Sequence, residues 1–251
     1  MKSERIPVKS FSADNGFIGK MQKLVREEVL PYQYNILNDA IPGIEKSHAI
    51  ENIRLAAEKL RGKDVKPDEF YGMVFQDSDV AKWIEAAAYA LAAGEDPELE
   101  KAVDETIQLY GASQHEDGYV DSYFTVKCPD KMWTNICDAH ELYCAGHMME
   151  AAVAYYEVTG KRELLDIMSK SADCIYEQFM KKNTRAYPGH PEVELALMRL
   201  WRATGNEKYK ELAKHFVDVR GQAPNYFVEE KKNRGWNVWD GAEELDTDYT
   251  Q

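Results

Sequence analysis

Three stretches of this chain repeat one pattern: AAAYALAAGEDPEL at Ala86 to Leu99, AAVAYYEVTGKREL at Ala151 to Leu164, and ALMRLWRATGNEKY at Ala196 to Tyr209. Each is an apolar helical stripe closed by a glycine and followed at once by a second helical start, which is the mark of an antiparallel helix hairpin. Gly94, Gly160 and Gly205 stand where a helix needs a left-handed closing residue, a conformation glycine takes without steric cost. A chain that repeats such a unit buries its stripes between neighbouring hairpins. It folds as an open solenoid or as a ring of paired helices.

Helical periodicity extends the pattern to Phe17–Asn38, Ser47–Leu60, Ser78–Ala93, Pro97–Ala112, Thr134–Thr159, Arg162–Met180, His190–Thr204 and Glu207–Arg220. The fold class is therefore all-α. Hairpins of this kind suit a toroid of the (α/α)6-barrel type, with inner helices lining a funnel; a full ring takes about twelve helices, so this one is expected to be incomplete. The interval between the first two repeat glycines is the longer one, and its extra residues fall in the turn-rich, aromatic insertion Gln114 to Trp133. From Gly221 onward no helical stripe is visible, and Trp236 and Trp239 have no evident place to bury their rings.

The 251 residues are 44% hydrophobic, enough for a sizeable core in one domain. A net charge of −13 repels phosphate backbones and anionic headgroups, which makes nucleic acid and membrane poor partners. No apolar run reaches the length of a signal-peptide core or a membrane span, so a cytoplasmic location is expected. Self-association is compatible with this surface. Cys128, Cys137, Cys144 and Cys174 form no CxxC pair and lie in or beside apolar helical patterns, as reduced, buried thiols do.

Two segments carry candidate chemistry. In WTNICDAHELYCAGHMMEAAVAYYEVTG, Trp133 to Gly160, the spacing of His140, Cys144 and His147 places all three on one helix face. That face suits hydrogen-bonded core, a polyhydroxyl-binding surface or a metal site; metal is the weakest reading, because no fourth ligand is near and no HExxH occurs. In RAYPGHPEVELALMRLWRATG, Arg185 to Gly205, Pro188 and Gly189 make a sharp turn, and His190 with Pro191 begins a helix. His190 either caps that helix or serves a ligand at its mouth. Inner-helix starts point into the funnel of a toroid, so His140 and His190 can share a site, with Tyr143, Tyr187 and Trp133 as stacking faces for a sugar. Asp77 and Asp79, on either side of Ser78, read as capping carboxylates. In VLPYQYNILND, Gln33 follows a kink expected at Pro31, and it faces either a ligand or solvent.

At these segments the sequence resembles glycoside hydrolase family 127, the β-L-arabinofuranosidases. VLPYQYNILND, FQDSDVAKWIEAAAYAL, QHEDGYVDSYF, HELYCAGHMMEAAVAYYEVTG and YPGHPEVELALMRLWRATG follow the family's pattern in order, and the similarity runs from about Pro7 to the last residue. The resemblance implies an (α/α)6 barrel followed by β-sandwich domains. It implies hydrolysis of a terminal β-L-arabinofuranosyl residue from an arabinose-containing oligosaccharide or glycoside, with His140, His190 and Gln33 contacting the sugar. It also implies a retaining mechanism in which a cysteine thiolate, held by zinc through cysteines and a glutamate, is the nucleophile and another glutamate is the acid/base. Those residues are expected beyond residue 251. Residues 1–251 would then be the N-terminal part of the barrel, with neither a catalytic residue nor a zinc ligand of their own. The competing expectations are a non-catalytic carbohydrate-binding module and a helical-repeat interaction domain.

Overall fold

The computed structural model describes residues 6–11, 13, 16–182 and 184–238. Trp239 lies outside them. Among the described residues every regular element is helical. The principal helices are α1 (Gly16–Leu24), α2 (Leu30–Leu37), α3 (Ala49–Leu60), α4 (Asp77–Ala93), α5 (Pro97–Ala112), α6 (Ser122–Lys127), α7 (Glu141–Thr159), α8 (Glu163–Tyr176), α9 (Val193–Thr204), α10 (Glu207–Val219) and α11 (Tyr226–Asn233).

The helices form two concentric rows. Neighbours α2, α4, α7 and α9 make the inner row, while α3, α5, α8 and α10 lie behind them as the outer row. Each repeat glycine joins an inner helix to its outer partner. The arrangement is an arc of an α/α toroid, and it follows from the stripes: Val80, Ile84, Ala87 and Ala88 of α4 are buried against the row that includes Met148, Met149, Ala151 and Ala152 of α7. Alanines at this seam let the two helix axes come close, and each larger side chain sealed behind them contributes about 1.5–3 kcal/mol. At the α1 edge of the arc, Phe17, Ile18, Met21, Leu24 and Val25 remain exposed.

Several local expectations are corrected by the structure. The first helix runs unbroken as expected, but it carries a π-helical turn at Val25–Val29 between α1 and α2, just ahead of Pro31, where the ring nitrogen has no hydrogen to return to the preceding turn. Gly160 and Gly205 close their helices with φ of 76° and 74°, but Gly94 is extended at φ 170°. A Cβ there would lie 2.6 Å from the Arg26 guanidinium, the movable end of a long side chain. Asp77 does not cap. It is buried and accepts hydrogen bonds from the backbone N–H (2.8 Å) and hydroxyl of Ser122, tying α6 to the start of α4.

The tail after Gly221 contains α11, which has no apolar stripe to announce it. Its start is capped by Asn225, whose Oδ1 accepts from Phe227 N at 2.9 Å, and its last turn is held by charge, as described below. Trp236 also finds a place. Its indole donates to Thr134 Oγ1 at 2.9 Å and its ring meets Phe124 edge-on at 6.2 Å.

Candidate functional site

The inner helices α4, α7 and α9 all begin at the same end of the arc, and the loops ahead of α7 and α9 meet there. The loop ahead of α7 is fastened from several sides. Glu141, the first residue of α7, accepts from Trp133 N with both carboxylate oxygens, at 3.0 and 3.1 Å, and from Tyr119 Oη at 2.7 Å. Glu230 of α11 accepts from Ile136 N at 2.7 Å and Cys137 N at 3.0 Å. Arg234, whose side chain is 2% exposed, binds Asn135 Oδ1 at 2.7 Å and Asp138 Oδ2 at 2.8 Å. These anchors hold residues 133–140 out of the helix that the sequence suggests, and α7 starts at Glu141 instead of Thr134.

The loop ends on His140 in the left-handed conformation, φ 61°, which residues other than glycine adopt rarely. The second loop crosses under the first at Gly189. A Cβ on Gly189 would lie 2.0 Å from the carbonyl oxygen of Cys137, a contact only glycine avoids. The crossing delivers His190 to His140: their Nε2 atoms are 3.2 Å apart and their ring centroids 5.0 Å. The expectation that His190 begins its helix is corrected, because α9 begins three residues later at Val193.

A hydrogen-bond rule sets the protons. His140 Nδ1 lies 2.5 Å from the carbonyl oxygen of Asp138, which can only accept, so Nδ1 carries the hydrogen and a neutral ring leaves its lone pair on Nε2. His190 Nε2 then donates to it. Burial, followed by the neighbouring His190, lowers the pKa of His140 and keeps the ring neutral.

Tyr143 closes the group, with its ring 5.1 Å from His190, 5.4 Å from His140 and 4.4 Å from His147. Its hydroxyl accepts from Lys82 Nζ at 3.0 Å, and Lys82 also donates to Ser78 Oγ at 3.0 Å. Phe75 lies 5.2 Å from His140 on the other side. One turn down, His147 faces Glu192 at 3.4 Å; burial and then the Lys82 cation push its pKa down to about 4. Further along the inner wall, Arg199 of α9 binds Glu150 of α7 together with Glu85 (3.2 Å) and Tyr89 (3.2 Å) of α4, stapling the three helices.

The predicted set is thus partly assembled. His140, His190 and Tyr143 come together. Cys144 does not share their face: it is buried in the core, 2% exposed, while Tyr143 and His147 line the site. The Trp133 ring packs edge-on against Tyr119 (5.0 Å) and Phe179 (5.5 Å), among core aromatics. Tyr187 is buried beneath Arg220, which lies 4.9 Å over its ring. Gln33 is exposed on α2, one residue before Tyr34, which stacks on Trp83 at 4.7 Å. Lys82 and Phe75 were missed, although Lys82 stands one turn after Ser78 on the stripe opposite the buried one.

Among the described residues no three of His, Cys, Asp and Glu converge as a metal set. The cysteines are free, and burial raises their thiols, that of Cys128 to about 11 and that of Cys174 to about 12. They do not fit the zinc-thiolate centre that the resemblance implies. Nor is any described helix long and apolar enough to cross a membrane.

Paired inner and outer helices with polar side chains gathered at the inner-helix starts define an arc of an α/α toroid with a polar site at its mouth. The chain belongs to the β-L-arabinofuranosidase GH127 catalytic-domain family, whose profile matches residues 12–248. It is 41% identical over 226 residues to a non-reducing end β-L-arabinofuranosidase of Bifidobacterium longum subsp. longum, covering 82% of this chain and 33% of that protein. It superimposes on a GH127 β-L-arabinofuranosidase from Geobacillus stearothermophilus T6 with a TM-score of 0.83 and 53% identity, covering 89% of this chain and 34% of that one. A second solved structure, a GH127 β-arabinofuranosidase, matches with a TM-score of 0.75 and 32% identity, over 86% of this chain and 34% of its own. The chain spans about a third of the length of these relatives.

Proposed function

We propose that this chain is the sugar-facing, N-terminal part of a β-L-arabinofuranosidase catalytic domain, and that it holds a terminal β-L-arabinofuranosyl residue at the mouth of the inner helices. The observation that carries this is the meeting of His140 and His190 through their Nε2 atoms, beside Tyr143. A sugar hydroxyl that replaces the direct bond between the two nitrogens, with the rings moving apart to admit it, accepts from His190 and donates to His140, so each of its directional needs is met by a neutral group. Tyr143 lends an aromatic face, and its hydroxyl, already accepting from Lys82, keeps its own hydrogen to donate. Gln33, on the inner-row helix α2, is proposed as a further contact made when the site is filled.

Zinc, the cysteine nucleophile and the acid/base glutamate of the complete enzyme are proposed to come from outside residues 1–251. The substrate class follows the family: an arabinose-containing oligosaccharide or glycoside. The four free thiols support a reducing compartment, and with it a cytoplasmic location.

Calorimetric titration with methyl β-L-arabinofuranoside tests the reading. Binding is expected for the wild-type chain and lost in His140→Ala and His190→Ala, with methyl β-D-galactopyranoside inert. Affinity unchanged by both substitutions sinks it.

A further inference from the structure

Glu192 stands directly ahead of α9, two residues after His190, in the place where a helix takes a capping side chain, yet its carboxylate makes no capping hydrogen bond. It lies against α7 instead. A Cβ on Gly146 would be 2.9 Å from Glu192 Cγ and 3.0 Å from Val193 Cα, so the glycine lets the start of α9 rest directly on α7. There Glu192 Oε1 comes 3.4 Å from His147 Nδ1. This spot is continuous with the histidine pair, because one ring borders both: Tyr143 is 5.1 Å from His190 and 4.4 Å from His147.

Nothing in the protein uses up the carboxylate. Its side chain is 19% exposed, and among the described residues it accepts no hydrogen bond and pairs with no lysine or arginine. His147 does not neutralise it either, because burial, and then the Lys82 cation, push that ring down to about 4 and leave it uncharged at neutral pH. Burial, and then Glu150 and Glu85, raise the carboxyl of Glu192 itself. A partly buried carboxylate in that setting is stabilised by donors from outside, and a sugar hydroxyl is such a donor.

Depth selects the hydroxyl. α7 runs inward from the mouth, and His147, four residues past Tyr143, lies about 6 Å deeper along its axis. A furanose held by a ring hydroxyl at the histidine pair reaches that level with its hydroxymethyl arm, and its glycosidic bond is left toward the mouth. We propose that Glu192 is a specificity-determining residue of the sugar site, its carboxylate accepting a hydrogen bond from the hydroxymethyl hydroxyl of the arabinofuranosyl residue. The assignment rests on the placement of arabinofuranose at the histidine pair. Glu192 holds the end of the sugar remote from the glycosidic bond and takes no part in cleaving it.

Calorimetric titration with methyl β-L-arabinofuranoside and with its 5-deoxy analogue tests this. Wild type is expected to bind the analogue roughly tenfold more weakly, since a hydrogen bond to a charged group is lost. Glu192→Met keeps the length of the side chain over Gly146 and removes the acceptor, so it is expected to bind both ligands alike, near the wild-type affinity for the analogue. Glu192→Gln keeps one acceptor oxygen and is expected to retain about threefold discrimination, as a neutral hydrogen bond does. A merely structural role would weaken both ligands together and preserve their ratio. Equal wild-type affinities, or a full ratio that survives Glu192→Met, overturn the assignment and leave the histidine pair standing. The wild-type comparison decides even where a variant fails to fold. Failure of wild type to bind either ligand overturns the histidine-pair reading, and the role of Glu192 with it.

Discussion

His140 and His190, fifty residues apart in the chain, face each other through Nε2 atoms 3.2 Å apart because the two loops that carry them cross at Gly189. Burial lowers the pKa of His140, and the neighbouring His190, whose positive charge would lie close by, adds to that. The bridging hydroxyl needs the His140 lone pair. Affinity for methyl β-L-arabinofuranoside is therefore expected to be flat above pH 7 and to fall by roughly tenfold, about 1.4 kcal/mol, on acidification. The midpoint should lie below the ordinary histidine value of about 6.5. A midpoint at or above that value in a pH series of titrations contradicts the neutral-pair geometry.

Gly189→Ala tests the crossing itself. The new methyl would lie 2.0 Å from the Cys137 carbonyl oxygen, a backbone atom that Glu230 and Arg234 hold in place through its neighbours. One strand of the crossing must move. A destabilisation of about 1–3 kcal/mol is expected, as for overpacked interiors, with sugar affinity falling because His190 moves with the turn. Unchanged melting temperature together with unchanged affinity would show that the crossing does not place the pair.

Glu141 offers a sign-definite pH effect. Burial raises its carboxyl to about 8, against the opposing hydrogen bonds from Tyr119 and Trp133. The folded state then holds a proton that the unfolded chain gives up at about 4.3, so stability falls as pH rises through that window. His147 acts oppositely, because its pKa of about 4 makes stability rise with pH, but only up to about 6.5, where the unfolded histidine has lost its proton. Between pH 6.5 and 8 the Glu141 effect stands clear of it. Wild type is expected to lose up to about 2 kcal/mol over that interval. Glu141→Gln, neutral at every pH, should flatten the slope in a melting series, and an unaltered slope refutes the assignment.

Glu230→Ala removes the acceptor of two backbone N–H groups in the loop that ends at His140, and of the Tyr226 hydroxyl at 2.7 Å. Each donor left unpaired in the interior costs about 1–3 kcal/mol. A loss near 3 kcal/mol corresponds to a fall of roughly 6–12 °C in melting temperature for a domain of this size. Hydrogen exchange should quicken at residues 135–137 and along α11. Protection retained in both segments would mean that Arg234 alone fastens the loop.

How far the sequence disclosed this architecture depends on where the determining contacts lie. The α4–α5, α7–α8 and α9–α10 hairpins were legible, since apolar stripes and closing glycines act over single turns of chain. The extended helix starting at Thr134 was not. Residues 134–139 have helix-compatible composition, yet Glu230, 94 residues beyond Ile136, binds their backbone outside a helix. For the same reason α11 was invisible: its buried face is Phe227 and the carboxylate of Glu230 in place of a stripe. The pairing of His140 and His190 was legible because both were assigned to the inner ring, His140 within a helix and His190 at a helix start; the structure sets each of them ahead of its helix, at the same end of the arc. Trp133 was misplaced, because an aromatic next to a polar segment fits a sugar platform and a core edge equally well. Lys82 was overlooked since its partner Tyr143 lies 61 residues away.

The last prediction concerns turnover. Retaining cleavage of a glycosidic bond needs a nucleophile on one side of the anomeric carbon and a proton donor on the other, about 5 Å apart. The thiols described here are held protonated by burial, with Cys144 in the core and Cys174 raised to about 12, so none supplies a thiolate at neutral pH. The inner-wall carboxylates are engaged as well. Glu85 and Glu150 are tied to Arg199, and Glu192 lies beside His147. Groups that bind the sugar equally in ground and transition states lower no barrier. The purified chain is therefore expected to release nitrophenol from an aryl β-L-arabinofuranoside no faster than its His140→Ala variant, even at concentrations where titration shows the wild type occupied. Release well above that variant would place a working nucleophile and acid among these residues, and the proposal that the machinery lies outside the chain would fall.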